Sequence, residues 1–298
     1  MSIHPVAGRA RVTLGALAAK KAAGEKIVMV TAYDYPGAQI VDAAGVDIVL
    51  VGDSAAMTVL GYDSTVPVTV DEMIMLTAAV RRGLSTPLLV ADLPFGSYEA
   101  SDELAIATAQ RFIKETGADA VKIERGGTTV DRARALVAAG IPVVGHVGLT
   151  PQTASSLGGY RAQGRTADSA SRVIEDALAL QDAGCSLLVV EAVPSAVTSV
   201  LMAQMGIPVI GIGAGADADG QVLVFHDLLG IYDGGAARFV KRYAEVRGAM
   251  VAGVSSYASE VRSRVYPAAE HTYGMPAEEA ERLAALFAGR AGGARSVG

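Results

Sequence analysis

The sequence has little of what disulfide-bonded, nucleic-acid-binding or membrane-spanning proteins need. It contains one cysteine, Cys185, so the chain cannot close an internal disulfide or supply a cysteine cluster for zinc. The formal net charge is −6, and a chain without a basic excess is a poor partner for nucleic acid. No apolar run approaches the roughly 18 residues of a membrane helix, and Met1–Pro5 lacks a signal-peptide pattern. We therefore predict a cytoplasmic protein that binds neither nucleic acid nor membrane.

Tryptophan is also absent, and aromatic residues make up only 5% of the chain. Hydrophobic residues nevertheless amount to 51%, which is enough for a sizeable core. That core must be aliphatic, and this composition suits stacked strands of Val, Ile and Leu. The length of 298 residues is compatible with one large α/β domain.

Short apolar runs rich in β-branched residues recur along the chain, and each has a polar or glycine-rich end. Such runs are typical of strands that are buried on both faces of a parallel sheet. They are Lys26–Tyr33, Asp47–Asp53, Pro87–Asp92, Ala120–Glu124, Pro142–His146, Leu187–Glu191, Pro208–Gly213 and Gln221–His226. Eight runs predict a single closed (βα)8 TIM barrel. The alternative is a doubly wound open sheet, but no G-x-G-x-x-G pattern opens the first helix.

Glycines mark where the intervening helices are expected to end. Gly45, Gly117, Gly140 and Gly184 each stand between a helical segment and a strand, and Gly206 is a fifth variant. A short helix within residues 11–24 is expected to close the bottom of the barrel. We predict a catalytic barrel over residues 1–274 and a C-terminal extension over residues 275–298. In that extension Met275–Ala288 can form a helix, and Ala291–Gly298 is expected to be disordered.

Polar residues stand where nearly every predicted strand ends, which is where barrel enzymes place their chemistry. The runs finish on Tyr33-Asp34, Asp53-Ser54, Asp92, Lys122 with Glu124, His146, Glu191, the glycines 211, 213 and 215, and His226-Asp227. Asp53, Asp92 and Glu124 end consecutive strands, and three close carboxylates cannot all stay ionised without a cation. All-oxygen ligands favour Mg²⁺, or less often Mn²⁺. Alternatively, Lys122 neutralises one carboxylate and no metal binds.

The remaining polar strand ends suggest acid–base chemistry. Glu191 follows an apolar run, and burial would raise its pKa and suit it to act as a general base. His146 is a second candidate, although a buried structural histidine is the alternative. His226 is more often structural than catalytic in such a position. The glycines 211–215 suggest either a phosphate site or close backbone packing.

At these residues the sequence resembles the ketopantoate hydroxymethyltransferase family over about Val12 to Thr272. The resemblance is carried by several motifs, all in the family's order. They include Thr31–Tyr35, Val51–Ser54, Gly61–Thr65, Ala91–Phe95, Val121–Glu124, Gly145–Gln152, Gly158–Tyr160, Gln163–Arg165, Glu191–Pro194, Gly211–Gly215 and His226-Asp227.

The resemblance implies a barrel of the phosphoenolpyruvate mutase/isocitrate lyase type. It implies transfer of a hydroxymethyl group from 5,10-methylenetetrahydrofolate to 3-methyl-2-oxobutanoate through a Mg²⁺-stabilised enolate, giving ketopantoate for pantothenate synthesis. By the same resemblance, Asp53 and Asp92 would bind the metal directly and Glu124 through water. Ser54 and Lys122 would bind the substrate carboxylate, and Asp53 and Asp92 would contribute to substrate binding beside the metal. His146 would contact the new hydroxyl, Glu191 would take the C3 proton, and the chain would form a homo-oligomer, a decamer.

One residue departs from the family's pattern, in which glycine follows the metal-site glutamate. Arg125 occupies that position, where it can point away, pair with Glu124 or alter the substrate pocket. Two other enzyme readings remain open, a metal-dependent C–C lyase and a Schiff-base aldolase acting through Lys122. A third reading is a barrel that has lost catalysis and serves in binding or assembly.

Overall fold

The computed structural model describes residues 9–235 and 237–288. The chain divides into two compact units, Met1–Glu245 and Val246–Gly298. The predicted boundary near residue 274 stays a prediction. No helix in the described part of the chain is long and apolar enough to cross a membrane.

The first unit is a closed barrel of eight parallel strands in sequential order, which confirms the predicted fold. The strands are β1 Ile27–Thr31, β2 Ile48–Val51, β3 Leu88–Asp92, β4 Ala120–Glu124, β5 Val143–Gly148, β6 Leu187–Glu191, β7 Val209–Ile212 and β8 Gly220–Leu223. The largest difference is at the last strand, which stops at Leu223, so that His226 and Asp227 lie on a short helix instead of a strand end.

Two aliphatic layers hold the barrel together, because successive side chains of a strand point to opposite faces. One layer fills the interior and contains Ile27, Met29, Ile48, Val90 and Val189 among others. The second lies between the strands and the surrounding helices. The absence of tryptophan is consistent with this construction, since stacked β-branched and leucine side chains fill the narrow interior.

Nine helices of the first unit can be described, and most connect consecutive strands. They are α1 Leu14–Ala23, α2 Tyr35–Ala43, α3 Ala55–Thr58, α4 Val70–Gly83, α5 Asp102–Arg111, α6 Thr129–Ala138, α7 Ala167–Asp182, α8 Ser195–Met202 and α9 Phe225–Leu228. A π-helix, Phe112–Thr116, continues α5, and a 3₁₀ helix, Pro151–Leu157, follows β5. Residues 213–219 join β7 to β8 without a helix.

Four of the five predicted helix-ending glycines adopt the left-handed conformation that such an ending requires. They are Gly45, Gly117, Gly140 and Gly184. The prediction was wrong for Gly206, which does not have a positive φ. Its N–H instead donates to Gln181 Oε1 at 2.7 Å, so a side chain completes this connection.

The predicted N-terminal helix is present as α1. Its N-cap is Thr13, whose side chain accepts a hydrogen bond from the Ala16 N–H. Leu17 is buried in the same apolar cluster as the interior strand residues Ile27 and Met29. The helix therefore closes the end of the barrel at which the strands begin.

The second unit contains two helices, α10 Val246–Ser263 and α11 Ala277–Phe287, with a 3₁₀ turn at Ala269–His271. The helix expected over Met275–Ala288 therefore forms, shorter by two residues at its start and one at its end. The expected disorder of Ala291–Gly298 lies outside the described residues.

Candidate active site

A cavity of about 180 Å³ lies at the end of the barrel where the strands finish. All seven residues predicted to form the site line it, namely Asp53, Ser54, Asp92, Lys122, Glu124, His146 and Glu191. They come from the ends of β2 to β6, and parallel strands of a barrel finish at the same face. The residues that were predicted from the sequence to form one site therefore do lie together in the structure.

Lys122 is the positive centre of this cluster. Its Nζ lies 3.1 Å from Asp92 Oδ1 and 3.1 Å from Glu124 Oε1. Burial alone would lower the pKa of Lys122, but the charges of Asp92 and Glu124 outweigh it and raise the pKa above its ordinary value. A lysine that stays protonated is a poor nucleophile, so the geometry does not favour a Schiff-base aldolase.

Asp53 and Asp92 are buried beside each other. The Asp53 N–H donates to Asp92 Oδ2 at 2.9 Å. Burial and the charges of Glu124 and Asp92 raise the pKa of Asp53 well above its usual range. Burial also raises the pKa of Asp92, although Lys122 opposes this effect. One lysine therefore does not balance the carboxylates, and this excess of negative charge suits a hard cation.

Glu124 is held by hydrogen bonds on both carboxylate oxygens. Oε1 accepts from Lys122 Nζ and lies 3.1 Å from His146 Nδ1, while Oε2 accepts the Gln152 N–H at 3.1 Å. Burial would raise the pKa of Glu124, but Lys122 and His146 lower it to about 2. Glu124 is therefore ionised and has both oxygens committed to neighbouring residues.

His146 connects the carboxylate cluster to Glu191. Its Nδ1 contacts Glu124 Oε1, and its Nε2 lies 3.3 Å from Glu191 Oε2. Burial and Lys122 lower the pKa of His146, but the two carboxylates outweigh them and raise it to about 9. The imidazole can thus carry a proton on both nitrogens, and its Nε2 contacts Glu191 as an ion pair without a hydrogen bond among the described residues.

Ser54 and Glu191 complete the predicted set. Ser54 Oγ lies 2.8 Å from the hydroxyl of Tyr33, whose pKa burial raises to about 12. The Glu191 side chain is 16% exposed, more than those of Asp92, Lys122, Glu124 or His146. It is therefore the carboxylate of the cluster that is most open to the mouth of the cavity.

Several polar residues of the site were not singled out from the sequence, among them Gln152, Tyr98 and Thr65. Gln152 contacts Asp53 and Glu124, and Tyr98 contacts both Gln152 and Glu124. Thr65 lines the cavity with a buried hydroxyl that has no hydrogen-bond partner among the described residues. Gln152 and Thr65 fall inside the motifs that carry the resemblance. Nothing in their spacing predicts that loops bring them to the strand ends.

Other polar strand ends have structural roles. Asp34 caps α2, where its side chain accepts the Gly37 N–H. His226 packs against the rings of Tyr33 and Phe225, and burial lowers its pKa, as expected for a structural histidine. The glycines 213 and 215 lie against Phe239 and Ser195, where a Cβ atom would clash, so close packing accounts for them.

Arg125 points away from the cavity. It is exposed, and it lines a separate cavity of about 400 Å³ that also contains Asp176. Its backbone has φ +80°, a conformation that favours glycine, and its N–H donates to His146 O at 2.9 Å. The arginine therefore neither enters the active-site cavity nor pairs with Glu124.

Solved structures with the same architecture include a phosphonopyruvate hydrolase, which has a TM-score of 0.59 at 13% identity and covers 93% of this chain and 98% of its own. A 2,3-dimethylmalate lyase of the phosphoenolpyruvate mutase/isocitrate lyase superfamily has a TM-score of 0.55 at 16% identity, with 92% and 98% covered. These likenesses agree with the (βα)8 barrel seen here. The family model described as ketopantoate hydroxymethyltransferase matches residues 11–269. The chain belongs to the ketopantoate hydroxymethyltransferase family.

Curated relatives support this membership over nearly their whole length. The 3-methyl-2-oxobutanoate hydroxymethyltransferase of Moorella thermoacetica is 53% identical over 268 residues, which cover 90% of this chain and 100% of the relative. The enzyme of that name from Heliobacterium modesticaldum is 52% identical, with 90% and 97% covered.

Proposed function

We propose that this protein transfers the one-carbon unit of 5,10-methylenetetrahydrofolate to C3 of 3-methyl-2-oxobutanoate, with Mg²⁺ or a similar divalent cation. Water supplies the oxygen of the new hydroxymethyl group, and tetrahydrofolate leaves with the C3 proton and the second proton of the water on its nitrogens. The observation that carries the proposal is the unbroken series of charged contacts from Asp92 through Lys122, Glu124 and His146 to Glu191. This series connects Asp92, where the cation would bind, to Glu191, the carboxylate that would act as the base, within one cavity. The names of the family and of its curated relatives give the acceptor and the transferred group, and the family resemblance implies the folate donor.

The donor set fits a divalent cation held by Asp53 and Asp92. Asp53 accepts its one hydrogen bond among the described residues on Oδ2, which leaves its Oδ1 for a cation, and Asp92 Oδ1 is buried beside Lys122 Nζ at 3.1 Å. Within that part of the chain no three carboxylate, imidazole or thiol groups could hold a metal ion by themselves. Mg²⁺ commonly uses one or two carboxylates with substrate and water as further ligands. When bound, the cation would withdraw electron density from the 2-oxo group of the substrate.

Lys122 and Ser54 would bind the substrate carboxylate. The Lys122 ammonium group remains charged between Asp92 and Glu124 and can attract a further anionic group in the cavity. Ser54 Oγ is within hydrogen-bond distance of Tyr33, which can orient its proton. With the carboxylate held there, C3 of the substrate would face the opposite wall of the cavity, where Glu191 lies.

Glu191 would remove the C3 proton, and His146 would hold the Glu191 carboxylate in position. Proton transfer requires the base within hydrogen-bond reach of the acidic C–H. The charge of a protonated His146 can attract Glu191 Oε2, 3.3 Å from its Nε2, and leave Oε1 for the substrate. After the new C–C bond forms, the same imidazole can donate to the hydroxyl of the product. Glu124 supports this role by accepting the Nδ1–H.

Isotope exchange tests the first half of this reaction separately from the second. In D₂O with Mg²⁺ and no folate, we expect the C3–H of 3-methyl-2-oxobutanoate to exchange, so that its methyl doublet collapses in the ¹H NMR spectrum. EDTA should stop the exchange and added Mg²⁺ should restore it. Addition of 5,10-methylenetetrahydrofolate should then yield ketopantoate. Absence of exchange above background would contradict the proposed base and cation, whereas exchange without transfer would point to a C–C lyase.

The same assay tests the choice of 2-oxo acid. Because Arg125 lies outside the cavity, we expect the family's substrate, 3-methyl-2-oxobutanoate, to be preferred over other branched 2-oxo acids. The proposed homo-oligomer, a decamer by family resemblance, can be tested by light scattering. A cytoplasmic location remains part of this proposal.

A further inference from the structure

We infer that Gln152 is a positioning residue of this site. Its carboxamide commits one oxygen of Asp53 to the protein and thereby leaves the other oxygen to bind a divalent cation. This inference rests on the proposed function, because it assumes that Asp53 is a cation ligand. It assigns a role to a residue that is neither a proposed ligand nor a proposed acid or base.

The contacts of the Gln152 side chain leave one orientation for its carboxamide. Nε2 donates to Asp53 Oδ2 at 3.0 Å and to the Leu93 carbonyl at 2.9 Å. A backbone carbonyl can only accept, so the NH₂ group and not the oxygen must face Leu93. Oε1 then accepts the hydroxyl of Tyr98 at 2.6 Å. Gln152 is only 4% exposed, so these contacts are shielded from water.

Tyr98 secures this orientation from the far side. Its hydroxyl accepts the Glu124 N–H at 3.1 Å, so its own proton is directed to Gln152 Oε1. The Gln152 N–H in turn donates to Glu124 Oε2 at 3.1 Å. One residue on a short 3₁₀ helix therefore restrains Asp53 with its side chain and Glu124 with its backbone.

Asp92 is restrained more fully than Asp53. Its Oδ2 accepts the Asp53 N–H, and its Oδ1 forms an ion pair with Lys122 Nζ at 3.1 Å. Asp53 thus has one oxygen tied to the protein and one left for a cation, whereas Asp92 would share its Oδ1 between the cation and Lys122. Donors that orient a metal-binding carboxylate typically change metal affinity by about 10–100-fold when they are removed. A purely structural Gln152 would affect stability without affecting cation affinity.

The test measures binding of Mn²⁺ to the purified full-length protein by EPR of the free ion. Gln152→Met removes the donors while keeping the length of the side chain, and we expect a Kd about 10–100-fold weaker than that of the unchanged protein. Tyr98→Phe keeps both donors and removes only the orienting hydroxyl, so a smaller weakening is expected. Saturating Mg²⁺ should recover most of the exchange activity lost by Gln152→Met.

Gln181→Met is the matched control. The Gln181 side chain also makes two hydrogen bonds, in which Oε1 accepts the Gly206 and Ile207 N–H groups, but it lies at the end of the barrel where the strands begin. Its substitution should leave the Kd for Mn²⁺ unchanged. Circular dichroism identifies the variants that are folded. If Gln152→Met does not fold, the Kd of Tyr98→Phe decides the question.

The outcomes separate this inference from the proposed function. If the unchanged protein binds Mn²⁺ and a folded Gln152→Met binds it equally well, the positioning role is refuted and the proposed function stands. If the unchanged protein binds no Mn²⁺ even with 3-methyl-2-oxobutanoate present, the cation site and the role of Gln152 both fall. Weaker binding by Gln152→Met, with an unchanged Gln181→Met, supports the inference.

Discussion

At the end of the barrel where the strands begin, aspartates stand one position before β2, β4 and β8, and each has its own partners. Asp47, Asp119 and Asp219 accept backbone N–H groups from the neighbouring strands β1, β3 and β7. Each also forms an ion pair with a cation that precedes or lies outside the barrel strands. The ion pairs are Lys20–Asp47, Arg11–Asp119, Arg81–Asp119 and Lys21–Asp219.

At the opposite end, where the strands finish, the carboxylates outnumber their partners. Asp53, Asp92 and Glu124 surround the single Lys122, and the pKa of Asp53 is raised well above its usual range by burial and by the neighbouring carboxylates. The same residue types are therefore used in two ways. The paired aspartates hold adjacent strands in register. The clustered carboxylates of the active site instead create an excess of negative charge, which a bound cation can neutralise.

Glu191→Gln should show most clearly that a residue at the end where the strands finish serves activity and not stability. Loss of a general base costs about 10²–10⁴-fold in rate, so exchange at C3 should fall by that amount. The thermal midpoint should change little, because Glu191 is the most exposed of the site's charged residues and Gln keeps its shape. Exchange rates and thermal unfolding of the same preparation measure both effects. Exchange close to the original rate would remove Glu191 from its proposed role.

Lys122→Met should damage stability and activity together. Removing one member of a buried ion pair destabilises a protein by about 3–5 kcal/mol, since the opposite charges are left unpaired. Here Asp92 and Glu124 would both lose their cation. Urea unfolding without divalent cation measures the loss. Since a divalent cation can partly replace the ammonium charge, added Mg²⁺ should narrow the difference from the unchanged protein. Unaltered stability without Mg²⁺ would contradict the charge imbalance at this end.

Asp219→Asn should weaken the fold without touching the chemistry. The carboxylate accepts the Val209 N–H at 2.8 Å and pairs with Lys21 at 2.8 Å. We expect a loss of about 1–3 kcal/mol in the free energy of unfolding, which is typical of hydrogen bonds to a charged group. Activity at low temperature should be retained. The control is Asp131→Asn, which breaks an exposed pair with Arg134 and should cost less than about 1 kcal/mol. Equal effects of the two substitutions would argue against a special role of the paired aspartates.

Much of the barrel could be predicted from the sequence, because its signals are local. Apolar runs and helix-ending glycines such as Gly45 and Gly184 depend on neighbouring residues, and strand order then brings Asp53, Asp92 and Glu124 to one face. The family motifs add the substrate. These signals were sufficient for the fold and the family, and they brought the seven predicted site residues to one cavity.

What could not be predicted depends on loop geometry and on exact strand ends. Gln152 contacts Asp53 because it lies on a 3₁₀ helix that follows β5 at this end of the barrel. No periodic pattern in the sequence predicts the course of that segment. His226 was placed at a strand end because its run is apolar, yet the chain already turns into α9 at Phe225. The direction of the Arg125 side chain could not be predicted either. Its backbone is left-handed, and the side chain lines the same separate cavity as Asp176.

Cys185 can report on which end of the barrel opens. This thiol is 2% exposed and precedes β6 at the end where the strands begin. Burial raises its pKa to about 12 from an ordinary value of 9.0, so at a given pH about a thousandfold less thiolate is available for alkylation. We expect iodoacetamide at mildly alkaline pH to label the native protein only through opening of the fold, measured by mass spectrometry. Asp219→Asn should accelerate labelling because it loosens this end, whereas Glu191→Gln should not. Equal acceleration by both would mean that the two ends of the barrel open as one.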